Sequence, residues 1–235
     1  MSLEDPLVSV IVPAFDESAT IVDVLNRVGE KVPFRTEVIV VDDGSTDDTA
    51  VLAESVPGTL VVRQGINRGK GAAVRAGIAR STGDIVVIQD ADLEYDPVDI
   101  PRLIEPLTRG VADVVYGSRL RGGEPQRAHL FWHYAGNKFL SLLTGVLYNT
   151  TLSDMEVGYK AFRGDLIRSI ELVSDDFAIE PEMTAKILRR DVRVYEVPIS
   201  YYGRTFDEGK KITWRDGFKA IATLVRFRFG PKGQV

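Results

Sequence analysis

Asp90 and Asp92 stand two positions apart, one residue after the apolar run Ile85-Val86-Val87-Ile88. At the end of an extended strand, residues i and i+2 point to the same side, so both carboxylates can reach one Mg²⁺ or Mn²⁺ and a diphosphate bound to it. Glu94 is close enough to join them, while the competing reading makes the aspartates turn formers or helix caps. Two more acidic clusters follow apolar runs: Asp16 and Glu17 in Pro13-Ala14-Phe15-Asp16-Glu17, and Asp42 and Asp43 in Asp42-Asp43-Gly44-Ser45. So many carboxylates at one edge repel each other, and a divalent cation with sugar or ribose hydroxyls would relieve the repulsion.

Gly65-Ile66-Asn67-Arg68-Gly69-Lys70-Gly71 is one residue short of a phosphate-binding P-loop, and no Ser or Thr follows Lys70. It also lacks the third glycine of a dinucleotide fingerprint. What remains is a helix start whose backbone and Lys70 can approach a nucleotide base or phosphate, or a plain loop. With no cysteine, the chain has no disulfide, thiolate zinc site or cysteine nucleophile. His129 and His133 are its only histidines, and two make a poor metal site, so they read as structural or interfacial. Any metal is therefore held mainly by oxygen. A net charge of -5 argues against nucleic acid as a partner.

These residues need a scaffold, and 235 residues, 44% hydrophobic and 27% charged, can bury a sizeable core. Up to about Tyr116 the pattern is that of βα units in a mostly parallel sheet. Strands are predicted at Val8 to Val12, Glu37 to Val41, Leu60 to Arg63, Asp84 to Gln89 and Asp113 to Tyr116. Helices fall near Thr20 to Gly29, Asp47 to Glu54, Gly71 to Ser81 and Pro101 to Thr108, the second capped by Ser45 or Thr46. In such an open α/β sheet, ligands bind outside the carboxyl ends of the strands, where the acidic motifs lie.

After Gly117 come a Gly- and Arg-rich loop, an amphipathic helix, and a segment, Asp154 to Arg163, without clear periodicity that reads as an insertion carrying specificity. A helix at Glu180 to Arg190 and a strand at Val194 to Ser200 follow, with Pro198 marking an edge or an end. Residues 204–235 hold eight basic against three acidic side chains. No repeat or linker divides the chain, so it reads as a single domain, 1–235. Residues 1–116 carry the acidic motifs at the strand ends, and 117–235 carry the amphipathic helices and the basic tail.

Four ordered motifs together resemble the family 2 glycosyltransferases with the GT-A fold. They are Ser9 to Glu17, Val40 to Asp47, Asn67-Arg68-Gly69-Lys70-Gly71 and Asp90-Ala91-Asp92-Leu93. Gly117-Ser118-Arg119 and Ser153 to Arg163 are similar to the later signature of the dolichyl- and polyprenyl-phosphate sugar synthases, and Tyr202 to Ile212 is similar to their bacterial and archaeal members. The resemblance implies a mostly parallel sheet flanked by helices, a nucleotide-sugar donor of the GDP-mannose or UDP-glucose type, a nucleotide-sugar-binding half at 1–116 and an acceptor-binding half at 117–235. Pro13, Phe15 and Glu17 would wall the nucleotide site, Asp43 would hold base or ribose, and Lys70 and Ala91 would lie along the donor. Asp90, Asp92 and Glu94 would be the metal ligands, and Asp92, Asp154 and Arg119 the catalytic set. Phe15 stands where a Tyr is common, and Glu94 where relatives often have Gln.

A nucleoside diphosphate leaves readily once its developing charge is neutralised, which a cation held by Asp90 and Asp92 achieves without proton transfer. A polyprenyl phosphate acceptor is already an anion, so it needs cations rather than a base; Arg119 and Arg127 suit that, with ordinary surface arginine the competing reading. A hydroxyl acceptor would need a base, Asp154 or Glu156, although Asp154 can instead orient the loop or an arginine. A single displacement inverting the anomeric centre follows from the resemblance.

The start of the chain lacks a signal-peptide pattern and no long uncharged apolar stretch is present, so the expected location is cytoplasmic. Leu130, Phe131, Tyr134, Phe139, Leu142, Leu143, Val146 and Leu147 repeat at helical spacing, either facing the core or resting at a membrane surface. The expected activity is metal-dependent hexose transfer to a polyprenyl or dolichyl phosphate, with peripheral membrane contact. A family member acting on a soluble hydroxyl and a catalytically silent nucleotide-binding scaffold are the alternatives. A nucleotidyltransferase is disfavoured because no Gly-rich loop follows the first strand.

Overall fold

A computed structural model describes residues 3–123, 127, 131–203 and 214–230. Seven strands, β1 (Leu7–Ala14), β2 (Arg35–Asp42), β3 (Thr59–Arg63), β4 (Ile85–Ile88), β5 (Val114–Ser118), β6 (Lys160–Arg163) and β7 (Val194–Pro198), make one sheet. Their order is β3-β2-β1-β4-β6-β5-β7. The helices are α1 (Ile21–Lys31), α2 (Thr49–Glu54), α3 (Lys70–Arg80), α4 (Ile100–Thr108), α5 (Phe131–Tyr148), α6 (Gly164–Arg168), α7 (Ile179–Leu188) and α8 (Trp214–Phe229).

Strands β1 and β4 are continuous β-branched runs because helices cover both faces of the sheet; Val8, Val10, Ile11, Val12 and Ile85 to Ile88 are all fully buried. β1 runs parallel to β2 and β4, in a register that brings Pro13 beside Val41 and Ala14 beside Asp42. Their carboxyl ends therefore share one edge. β5 and β7 also run parallel, and β7 ends at Pro198 on the outside of the sheet. Proline is tolerated there because no further strand needs its missing N–H.

Three expectations are corrected. Asp154 to Arg163 is no peripheral insertion: it contains β6, which runs antiparallel between β4 and β5 in the middle of the sheet. Its four residues, Lys160-Ala161-Phe162-Arg163, are too short and too charged at their ends to show a strand period. Helix α2 starts at Thr49 and carries no side-chain cap. Ser45 Oγ instead accepts the Asp16 N–H at 3.0 Å, Thr46 donates to Asp16, and Asp47 accepts the Thr49 N–H at 2.9 Å. Finally, the aspartate pair does not continue a strand. β4 stops at Ile88, and Gln89 donates its side-chain amide to the carbonyls of Asp90 and Tyr95, closing a loop in which Leu93 has φ 59°.

The antiparallel strand has a large positional effect. β6 begins at the edge where β1, β2 and β4 end, so the residues just before it, 154–159, arrive at that edge too. Residues 199–201, which follow β7, return to the same place. A second apolar cluster, made of Leu140, Met155, Ala185, Leu224 and Phe227, joins α5, α7 and α8.

Candidate active site

Lys70 opens α3 at this edge, after Gly69 with φ 101°. A side chain at Gly69 would lie 2.5 Å from the Asp175 carbonyl, so both its dihedral and its surroundings require glycine. Asp43 fixes the same turn: its two oxygens accept the N–H groups of Arg68 at 2.8 Å and Gly69 at 2.7 Å. Asp43 is buried and thus organises the loop, whereas a base or ribose contact would reuse oxygens already engaged.

Lys70 Nζ lies 2.7 Å from Asp90 Oδ1 and 3.4 Å from Glu180 Oε1 at the start of α7. Glu180 also pairs with Lys160, the first residue of β6, whose ammonium reaches the Val157 carbonyl as well. Burial works against the Lys70 charge, but Asp90 and then Glu180 outweigh it and hold the ammonium above the ordinary lysine range. Gly158 closes the group from the β6 side. A Cβ there would sit 2.7 Å from Asp90 Oδ2 and 2.9 Å from Lys70 Nζ.

Asp92 accepts the Glu94 N–H at 3.1 Å, and Glu94 accepts the Tyr201 hydroxyl at 3.0 Å. Among the described residues no three carboxylate or histidine side chains converge as a cation site. The expected trio of Asp90, Asp92 and Glu94 is therefore not gathered by the protein alone, since Lys70 engages Asp90 and Tyr201 engages Glu94. The donor chemistry still fits Mg²⁺ or Mn²⁺, which are often held by one or two carboxylates with substrate phosphates completing the shell.

Arg119 and Asp154 form a buried bidentate pair, Nε to Oδ2 at 2.8 Å and Nη2 to Oδ1 at 2.7 Å, and the Arg119 N–H adds a bond at 2.9 Å. The Arg119 guanidinium also lies 5.1 Å from the centre of the Tyr201 ring. Burial pushes the Asp154 carboxyl up, but Arg119 outweighs it and holds it below the usual carboxylate range. Asp154 is thereby a poor general base, and the geometry realises its orienting alternative. The Arg119 guanidinium is thus paired with Asp154 within the buried loop. Arg127 is exposed and donates to the Gly203 carbonyl at 2.9 Å.

Glu156 behaves differently. Burial first and Glu180 second push its carboxyl up to about 7, against the pull of Lys160 and Arg119. Its Oε1 is sealed from solvent without a hydrogen bond among the described residues. The remaining donor-side residues keep to the edge: Pro13 is the last residue but one of β1, half-buried Phe15 follows the strand, and the Glu17 N–H donates to Thr49 Oγ1 at 2.8 Å. Ala91 is buried and its carbonyl accepts the Thr20 hydroxyl at 2.7 Å, which ties the β4 loop to the residue just before α1. Sequence reasoning missed Glu180, Lys160 and Tyr201 as members of this site. Lys160 left a signal, being a charged residue between Val157-Gly158-Tyr159 and Ala161-Phe162. His129 lies outside the described residues, as do residues 204–212 of the similar tail.

Residues 9–170 match the family model for glycosyl transferase family 2. The chain belongs to this family. It is 32% identical over 202 residues to the glycosyltransferase AglJ of Haloferax volcanii, covering 84% of this chain and 63% of that protein. It is also 32% identical over 216 residues to the undecaprenyl-phosphate mannosyltransferase of Micrococcus luteus, covering 85% of each. The dolichol-phosphate mannosyltransferase of Pyrococcus furiosus is 29% identical over 214 residues, 86% of this chain and 58% of that protein. The chain thus spans under two thirds of the length of some relatives and most of others. Among solved structures, glucosyl-3-phosphoglycerate synthase from Mycobacterium tuberculosis in complex with Mn²⁺, UDP and phosphoglyceric acid superposes with TM-score 0.76 at 26% identity. That match covers 97% of this chain and 80% of the synthase. The GT-A fold expected of the family 2 member is thereby shown.

Proposed function

We propose that this family 2 glycosyltransferase moves a hexose from a nucleoside-diphosphate sugar to a polyprenyl phosphate, with Mg²⁺ or Mn²⁺ at Asp90 and Asp92. One observation carries the reading: the loop after the central strand β4 sets Asp90 against Lys70, with Asp92 two residues on, at the edge where β1, β2, β6 and the residues after β7 converge. Support for the donor and cation comes from the Mn²⁺- and UDP-bound synthase that shares the fold, and for the acceptor from the names of the Micrococcus and Pyrococcus relatives.

A divalent cation bound there supplies a positive centre for the charge gathering on the departing diphosphate. Asp43 holds the Gly69 turn so that Lys70 faces the donor phosphates, and Asp90 and Asp92 carry the ligand oxygens. Arg119 and Asp154 brace the acceptor side, with Tyr201 stacked against them. No residue needs to remove a proton from a phosphate acceptor, which agrees with Asp154 being held ionised. Association with a membrane surface follows from a lipid acceptor. Among the described residues no helix is long and apolar enough to cross a membrane.

Transfer to a hydroxyl is the second reading, and the raised carboxyl of Glu156 favours it. The sealed position of Glu156 Oε1 weighs against it as a base. GDP- and UDP-sugars are to be screened with Mn²⁺ and either a short polyprenyl phosphate or a soluble alcohol, with products read by mass. The expected product is the sugar-phosphate-lipid, abolished by a chelator and lowered at least ~100-fold in Asp90→Asn with Asp92→Asn. Full turnover in either condition refutes the reading.

A further inference from the structure

Four buried or half-buried charges alternate in sign along one line: Asp90, Lys70, Glu180 and Lys160. The two contacts of Lys70 are unequal. Its Nζ is 2.7 Å from Asp90 Oδ1, a full charge-assisted hydrogen bond, but 3.4 Å from Glu180 Oε1, an oxygen that has no hydrogen bond among the described residues. Glu180 is only 3% exposed, so water does not readily serve that oxygen. A buried carboxylate oxygen thus faces an ammonium that is engaged elsewhere, within reach of a small side-chain movement. Gly158 leaves Lys70 and Asp90 room at this point, where any Cβ would touch both.

We propose that Lys70 is an internal counter-ion for Asp90 that gives way to the divalent cation, and that Glu180 is the positioning residue that receives it. The inference rests on the proposed cation at Asp90 and goes beyond it by naming what the cation must displace. Without a counter-ion, the carboxylates at this edge would repel each other and spread. With Lys70 in place, Asp90 keeps its position while the site awaits a donor. When the cation takes Asp90 Oδ1, the Lys70 ammonium shifts toward Glu180 Oε1 and completes its missing hydrogen bond. It stays beside the donor phosphates as a second positive group. Lys160 holds the other Glu180 oxygen, so the Glu180 side chain stays fixed throughout the exchange.

The exchange makes Lys70 a competitor of the metal, which is opposite to what a simple structural lysine would do. Mn²⁺ binding to the donor-free protein is to be measured by electron paramagnetic resonance of free Mn²⁺, with and without UDP or GDP. Lys70→Met should bind Mn²⁺ about tenfold more tightly than the unaltered chain, the equivalent of one charge-assisted hydrogen bond that no longer has to be broken. The gain should persist in about half-molar salt, which screens a distant charge but not a direct contact. Mn²⁺ should also raise the melting temperature of Lys70→Met more than that of the parent.

Glu180→Gln should weaken Mn²⁺ binding several-fold, because Lys70 loses the group that receives it. Should that variant fail to fold with Lys160 left unpaired, Glu180→Gln with Lys160→Met removes both buried charges together and carries the same expectation. Equal or weaker Mn²⁺ binding by Lys70→Met, or a gain lost in high salt, overturns the exchange while leaving the cation site intact. Absence of Mn²⁺ binding in every protein, even with nucleotide, overturns the cation at Asp90 itself.

Discussion

Glu156 sets a pH dependence that can be worked out with its sign. Its carboxyl is raised in the folded chain to about 7, by burial first and by Glu180 second, while an unfolded glutamate titrates near 4.3. A group raised on folding contributes stability that is fully present below its unfolded value and lost as pH climbs through its folded value. Between about pH 4.5 and 8 the parent chain should therefore lose on the order of 3–4 kcal/mol relative to Glu156→Gln, which cannot ionise. Urea unfolding at several pH values checks this, and parallel curves for the two proteins would refute it. Asp154, two residues earlier, has the opposite direction because Arg119 grips it, so neighbouring carboxyls in one loop respond to pH in opposite senses. Nothing in the sequence separates these two residues. Their difference comes from partners 35 and 24 residues away, brought together only by β6.

At the level of elements, α3 sets the position of Lys70, and its contact with the sheet is unusually close. Gly77 packs on Ile11 of β1 so tightly that an added Cβ would overlap the Ile11 methyl group. Ile11 is fully buried in a strand interior, where a β-branched side chain has little freedom to turn aside. Overpacking costs about 1–3 kcal/mol, against a helix-propensity gain of about 1 kcal/mol for alanine. Gly77→Ala should therefore lower stability by about 1 kcal/mol, whereas Gly29→Ala in exposed α1 backbone, with nothing within 4 Å, should raise it by about 0.5–1 kcal/mol. Thermal melts of the two variants moving in the same direction would refute this account. The same elements show what the sequence revealed. β1 to β5 were legible within a residue or three, because long β-branched runs alternate with helical periods, and Pro198 correctly marked an end and an edge. β6 was not, because four residues ending in Lys160 and Arg163 carry no period; Lys160 is tolerated in the core only because Glu180 pairs with it. The place of Asp90 and Asp92 at the sheet edge was legible from the apolar run before them. Their surroundings were not, since a partner such as Glu180 lies on a distant helix.

For the whole molecule, the unanswered physical question is what covers the outer faces of α5 and α8. The two helices pack against each other and α7 through Leu140, Leu224 and Phe227, so the apolar period of α5 serves the core on one side only. Its other side leaves Trp132 82%, Val146 75% and Leu142 67% exposed, and α8 adds Phe229 at 74%. A net charge of -5 would repel an anionic bilayer, but the basic residues are concentrated in the last stretch of chain, where Lys219, Arg226 and Arg228 lie on α8 itself. A lipid-phosphate acceptor requires the site to reach such a surface, and apolar area with flanking cations is what an interfacial helix uses. The chain should therefore sediment with anionic liposomes at low salt, less so as salt screens the cationic share. Trp132→Ser with Val146→Ser should weaken that binding roughly tenfold or more, since the lost apolar burial outweighs one factor of ten in affinity. Both side chains are exposed, so the melting temperature should stay within about 2 °C of the parent. If instead the unaltered chain ignores liposomes and self-associates through this face, analytical ultracentrifugation will show a dimer that the same two substitutions dissolve. A lipid acceptor would then lose its physical support.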